Sequence, residues 1–367
     1  MNRRTDLDLL RVVLCASVII QHAVLIFASE PRYRVKSDLS PAWATALYEA
    51  LRIFAMPPFF ALAGWAALTS LRRRDAPRFL RDRSARLLPP LAIGIFLFGP
   101  FIKYIELSQG RDLGLAGFRL VQPIQIGILE FLPRYFTRIV LTTWSHLWFL
   151  GYLAIYSIAL LPFLAWLAGR KPIAAPAPWW SVYLPALPLA LVLAVFNGYW
   201  PYLPNLIHDW SNFAYFALCF LIGATIAAWP RYEDAMSSHT WWLVLLAAVG
   251  FYGVVHFGES VSGRLCVGLM AWGCIGGTWG LARRWAPAPS RWLDWLGEAT
   301  FPIYILHHLP LLGLALWIIP MGQPVWLQVG LITGGDMLVT MALYVGLIRP
   351  WPWMRILFGM APKTAGQ

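Results

Sequence analysis

Two ionisable side chains stand inside the first hydrophobic stretch of this 367-residue chain, Arg11 and His22 in DLDLLRVVLCASVIIQH. In a helix, eleven residues at about 100° each return the pair to nearly the same face, roughly 16 Å apart along the axis. Ionisable groups are costly in hydrocarbon, so within a span they face a polar interior and mark a functional site by default. An imidazole there can accept and return a proton, and a guanidinium can hold or guide an anion. Asp8, three residues before Arg11, keeps a second reading open: an ion pair near the membrane face with the arginine stem snorkelling outward. For His22 the alternative to chemistry is a hydrogen-bonded structural role.

Other groups of the right type follow. Glu49 and Arg52 sit one turn apart in EALRIFAMPPFFALAGWAAL, with Arg52 at a depth comparable to His22, so they line the same cavity or form an ion pair at the helix mouth. Seven arginines fall between positions 72 and 86, against Asp75 and Asp82. Such a patch holds anionic lipid or the phosphates of a soluble donor, and Arg72, Arg73, Arg74, Arg83 and Arg86 join Arg11 and Asp8 as candidates for donor binding or positioning. His146 lies in WSHLWFL, and His307 and His308 lie in FPIYILHHLPLL. Adjacent residues on one helix diverge by about 100°, so only one of His307 and His308 is expected to point into a given cavity. Cys15, Cys219, Cys266 and Cys274 all fall in apolar stretches without metal-ligand spacing, and no metal is expected.

The elements that must position these groups are membrane helices. With 59% hydrophobic residues, 13% charged and 21 Trp, and a mean hydropathy of +0.61, the chain is far from the mix of a soluble domain. It reads as a single all-α polytopic domain over 1–367. Ten spans of sufficient length are expected at about 8–28, 46–70, 87–105, 145–167, 182–198, 211–229, 241–257, 264–282, 300–319 and 325–348. Pro57 and Pro58 fall inside the second, Ala61, Ala63 and Gly64 favour close helix approach there, and Pro185 and Pro188 bend or shift the fifth.

Orientation follows from the basic residues. Arg3, Arg4, the arginine run, Arg170, Lys171, Arg231, Arg283, Arg284, Arg291, Arg349, Arg355 and Lys363 fall on one side, while the outer loops carry Arg32, Arg34 and Lys36. The positive-inside rule places both termini in the cytoplasm. The net charge of +12 then serves membrane orientation and not nucleic-acid binding. The first span carries no small-residue cleavage site and is expected to be retained. Segment 106–144 lies outside, with room for a re-entrant or interfacial helix.

This layout suits an enzyme that joins two aqueous faces: a phosphate-rich donor on the inner arginines, an extended arm passing Arg11, and an acceptor meeting His22 from outside. A transporter or flippase also uses intramembrane charge and proline-broken helices. A lipid-modifying enzyme would instead admit its acceptor from the bilayer.

The ordered set D-x-x-R-x(10)-H at Asp8, Arg11 and His22, FAMPPFFALAGW, RDRSARLLPP, HLWFL and FPIYILHH resembles the acyltransferase family 3 membrane proteins, and within them the branch of glucan succinyltransferases. Ala63 stands where many relatives have serine, so no hydroxyl role carries over there. The resemblance implies transfer of an acyl group, succinyl or acetyl, from cytoplasmic acyl-CoA to a hydroxyl of a periplasmic glucan or other glycan. The setting it implies is a bacterial inner membrane, with no metal, with His22 at the position of the catalytic histidine and with Arg11 at that of the motif arginine.

Overall fold

Hydrocarbon offers the backbone no hydrogen-bond partners, so long apolar runs close their own as helices. The computed structural model describes residues 4–114, 117–200, 205, 206 and 208–361; Arg3 and Lys363 lie outside these. In chain order come α1 (Thr5–Leu25), α2 (Ala42–Leu71), α3 (Ala76–Ile93) and α4 (Gly99–Ser108). A hairpin of β1 (Arg111–Gly114) and β2 (Gly117–Leu120) leads to α5 (Ile128–Thr137), α6 (Trp148–Ala159), α7 (Leu161–Ala168), α8 (Ala186–Phe196) and α9 (Trp210–Ala228). The rest is α10 (Arg231–Ser238), α11 (Thr240–Phe257), α12 (Val261–Arg284), α13 (Arg291–Leu306), α14 (His308–Ile318), α15 (Val325–Leu343) and α16 (Pro352–Leu357).

Among the described residues, eight helices are long and apolar enough to cross a membrane, and two bent pairs, α6 with α7 and α13 with α14, raise the number to ten. The chain is therefore an all-α, multi-pass membrane protein. Each expected span has its counterpart, with two instructive differences. The third runs Ala76–Ser108, because Arg78, Arg81, Arg83 and Arg86 extend the helix beyond its apolar part instead of forming a loop. In the fifth, Pro185 is the N-cap of α8 and Pro188 lies in its first turn, where a missing N–H costs nothing; these prolines start the helix and do not bend it.

The contact pattern divides the chain into two compact units. The first holds Met1–Cys15, Ala50–Arg83 and Tyr152–Gly297. Within it α2 and α9 approach backbone to backbone: a Cβ on Gly64 would stand 1.8 Å from the Phe220 carbonyl oxygen, and one on Gly223 equally close to that of Ala61. This is the close approach that the small residues around Gly64 foretell. Below it, Glu233 is buried and accepts from Trp65, from Arg4 at 2.9 Å and from Arg283 at 2.6 Å.

The second unit holds Ala16–Glu49, Ser84–Gly151 and Glu298–Gln367. Its segment between α4 and α6 is ordered by a small apolar core of Leu107, Phe131 and Tyr135, with Tyr104, Val121 and Ile126 against it. Helix α5 turns Phe131 and Tyr135 inward and leaves Leu129 and Phe136 exposed, the amphipathic form expected of an interfacial helix. After α1 the chain folds back on itself. Lys36 Nζ donates to the carbonyls of Leu25 and Ala28 at 2.6 and 2.5 Å, satisfying acceptors at the helix end, and Arg111 donates to the Pro31 carbonyl at 2.8 Å. That return places Tyr33 and Arg34 in the buried interior.

Candidate active site

Four histidines meet inside the second unit. His22 comes from the last turn of α1, His146 from the turn before α6, and His307 and His308 from the junction of α13 and α14. The His22 ring lies 5.2 Å from that of His307 and 4.9 Å from that of His308, and His146 lies 4.7 and 4.8 Å from the same two. Tyr33 completes the group at 6.1 Å from His22 and 5.7 Å from His308.

Both members of the His307–His308 pair enter the cluster, contrary to the expectation from a regular helix. The helix is not regular there. Pro310 has no N–H to give to the carbonyl of Leu306, α13 and α14 meet at 62°, and the bend lets adjacent side chains converge. It also exposes the last carbonyls of α13, which the imidazoles then satisfy: His307 Nδ1 donates to the Tyr304 carbonyl at 2.7 Å, and His146 Nε2 donates to those of Tyr304 and Ile305 at 3.0 and 3.2 Å. The Tyr304 hydroxyl closes the brace by donating to the His146 carbonyl at 2.6 Å.

These carbonyl partners fix the tautomers, because a carbonyl oxygen only accepts. His22 Nδ1 is 2.9 Å from the Val18 carbonyl and therefore carries the proton, leaving its Nε2 as a lone pair. His307 Nε2 is likewise a lone pair and lies 3.4 Å from His22 Nδ1. His146 Nδ1, both ring nitrogens of His308 and the Tyr33 hydroxyl are buried without a hydrogen-bond partner. His146, His307 and His308 are sealed from solvent while His22 is partly exposed, so His22 is the imidazole an outside molecule can reach. Tyr33 lies in the loop beyond α1, and burial raises its phenol far above the usual range, with the nearby Arg34 charge acting the other way. It is a neutral O–H donor.

Arg34 is near enough for its charge to act on His22, His146 and His308. Its Nε stands 3.3 Å from Glu106 Oε2. Glu106 also accepts from Lys103 Nζ at 2.5 Å and from the Leu113 amide at 2.7 Å, and Lys103 reaches Asp112 at 2.5 Å. Lys103 and Glu106 are fully buried. His22, His307 and His308 each offer a nitrogen within 4.8 Å of the others, a set that could ligate a metal ion. The Arg34 guanidinium disfavours a cation in the same pocket.

The remaining candidates have their own places. Arg11 Nη1 pairs with Asp8 at 3.0 Å in the first unit, as the ion-pair reading has it. Arg72 donates to the carbonyls of Ala227 and Ala228 at 2.9 and 3.3 Å, capping the end of α9. Arg74 pairs with Asp82 at 3.0 Å, Arg83 donates to the Ala63 carbonyl at 3.1 Å, and Arg73 is exposed. In the second unit Arg86 lies over the Phe301 ring. Glu49 and Arg52 are half-buried on α2, the first in the second unit and the other in the first. Of the sequence candidates, the structure joins His22, His146, His307 and His308. It adds Tyr33, Arg34 and Tyr304. The one sequence signal for Arg34 was its presence in RYRVK, basic residues in an outer loop where the positive-inside rule expects few.

The profile of a protein family described as an acyltransferase domain matches residues 4–345. No curated protein and no solved structure matches the chain.

Proposed function

The chain belongs to acyltransferase family 3 and is a membrane acyltransferase, and from that premise we propose that it moves an acyl group, succinyl by preference, from cytoplasmic acyl-CoA to a hydroxyl of a periplasmic glucan or related glycan, with His22 as general base. The observation that carries the assignment of His22 is its tautomer: Nδ1 is tied to the Val18 carbonyl, Nε2 is free, and this ring alone of the four is partly exposed. The likeness of its motifs to those of glucan succinyltransferases supports the choice of acyl group and acceptor. A bacterial inner membrane fits a donor taken from the cytoplasm.

The chemistry balances without a covalent enzyme intermediate. Nε2 takes the hydroxyl proton as the glycan oxygen attacks the thioester carbonyl. The developing oxyanion accepts from the Tyr33 hydroxyl, which has no other partner. On collapse the C–S bond breaks, the C–O ester bond remains, and the imidazolium returns the proton to the leaving thiolate. His307 Nε2, 3.4 Å from His22 Nδ1, supports the imidazolium while it lasts.

The test is purified protein in nanodiscs with radiolabelled succinyl-CoA or acetyl-CoA and a glucan acceptor. Wild-type protein is expected to label the glucan, and His22→Ala to lose about 10²–10⁴-fold in turnover while keeping its size-exclusion profile. No turnover with any acyl-CoA, together with glycan flux into liposomes, overturns the reading in favour of transport; full turnover by His22→Ala overturns the base assignment.

A further inference from the structure

Arg34 is an arginine whose hydrogen-bonding capacity is unspent. Its residue exposure is 8%, and its ion-pair partner is Glu106, at a distance without hydrogen-bond geometry: neither Arg34 Nε nor Glu106 Oε2 makes a hydrogen bond. Among the described residues its terminal nitrogens make none either. Glu106 is already engaged through its other oxygen by Lys103 and by the Leu113 amide, and Lys103 is shared with Asp112. That network holds the arginine in place without consuming its donors. Nε is buried without a hydrogen bond, and the four N–H groups on the terminal nitrogens are uncommitted in a side chain that is 10% exposed; the acceptor that matches such a planar fork is a carboxylate bound through both oxygens.

The position of Arg34 says which part of a substrate would bring that carboxylate. Its neighbour Tyr33 packs against His22 and His308, and its charge acts on three of the four imidazoles. Yet no imidazole is hydrogen-bonded to it among the described residues. The guanidinium therefore lies near the imidazoles without a hydrogen bond to any of them, while the Tyr33 hydroxyl, on a ring packed against His22 and His308 and without a hydrogen-bond partner, is left for the oxyanion. A group one step removed from the reacting carbonyl is the far end of the acyl chain. Two methylenes put a terminal carboxylate carbon about 4 Å from the thioester carbon.

We propose that Arg34 is the specificity-determining residue of the acyl pocket, and that it reads the terminal carboxylate of a dicarboxylic acyl thioester. This rests on the acyl-CoA reading of the histidine site and adds to it what the site selects. Arg34 binds the distal carboxylate, Glu106 and Lys103 position Arg34, and an acyl chain with an uncharged end leaves the fork unpaired. Selectivity then arises because the wrong substrate fails to satisfy a buried donor set.

The experiment compares two donors that differ in one group, succinyl-CoA and its terminal amide, with full-length protein in nanodiscs and a glucan acceptor. Wild-type protein is expected to favour the carboxylate donor by about 10²-fold in kcat/KM, the scale of a buried charge-assisted pair. In Arg34→Gln that ratio falls to near one with the loss on the carboxylate donor, and Arg34→Lys restores part of it. Equal loss on both donors in Arg34→Gln would mean an oxyanion or purely structural role and overturns the proposal, leaving the acyl-transfer reading intact. Should Arg34→Gln fail to fold, the wild-type ratio decides: a value near one overturns the proposal. Failure of wild-type protein to use either donor overturns the acyl-CoA reading and the specificity with it.

Discussion

At His22 a single hydrogen bond decides which nitrogen does chemistry. The Val18 carbonyl four residues back takes the Nδ1 proton, so the base is Nε2, and the helix that carries the ring also sets its tautomer. Tyr33 supplies the complementary group. Burial holds its phenol protonated well past the usual range, so it donates to a developing oxyanion throughout the working pH span. Tyr33→Phe keeps the ring packing against His22 and His308 and removes the donor. The expected result is a fall of about 10–10³-fold in kcat with the KM for acyl-CoA little changed, measured by steady-state kinetics; an unchanged kcat would remove Tyr33 from the mechanism. Sequence reasoning found His22 because an imidazole in an apolar run violates the pattern around it. It did not single out Tyr33 and Arg34, because they lie in a loop whose return path is set by Lys36 and Arg111 hydrogen bonds and has no periodicity to read.

Among the elements, the bent helix and the folded-back loop are what turn separate residues into a site. The ten apolar stretches were legible because hydropathy and length are written in composition; the convergence of His307 and His308 was not, because it depends on a 62° break. Pro310→Ala supplies the missing N–H and favours a continuous helix. The two imidazoles then diverge, and turnover is expected to drop at least tenfold while the melting temperature in detergent holds or rises. Loss of fold with loss of activity would instead mark the bend as a structural requirement. At the other end of the site, Lys36 ties the loop to the end of α1, and burial, with Arg111 adding repulsion, lowers its ammonium to about 8. A lowered folded-state pKa means that the unfolded chain binds more protons between pH 8 and the ordinary lysine value near 10.5. Stability from this group therefore rises with pH across that window. Thermal melts of wild type against Lys36→Met from pH 7 to 10 should show the wild type gaining relative to the variant above pH 8; parallel curves would refute the linkage.

For the whole molecule, the decisive quantity is the number of membrane crossings, since it fixes which aqueous face each group serves. Eight single helices and two bent pairs give ten crossings only when each pair traverses the bilayer. For α13 and α14 the charges argue that it does: Arg283 and Arg284 precede the pair, Arg291 opens it, and no basic residue lies in 320–324 after it, the asymmetry expected when the first end is cytoplasmic and the second is not. A re-entrant loop would return both ends to one face and carry the histidine junction with it, leaving an acceptor to come from the donor side. The native cysteines are poorly placed to confuse a labelling test, as Cys15, Cys219 and Cys274 are buried and Cys266 half-buried. Replacing these four by alanine and introducing Asp38→Cys, Arg78→Cys, Ala288→Cys or Gln323→Cys one at a time places a thiol at four exposed positions. In intact cells, a membrane-impermeant maleimide should label the first and last of these, and should reach positions 78 and 288 only after permeabilisation. Labelling of positions 288 and 323 from the same side would turn the pair into a re-entrant loop and require donor and acceptor to share an entrance.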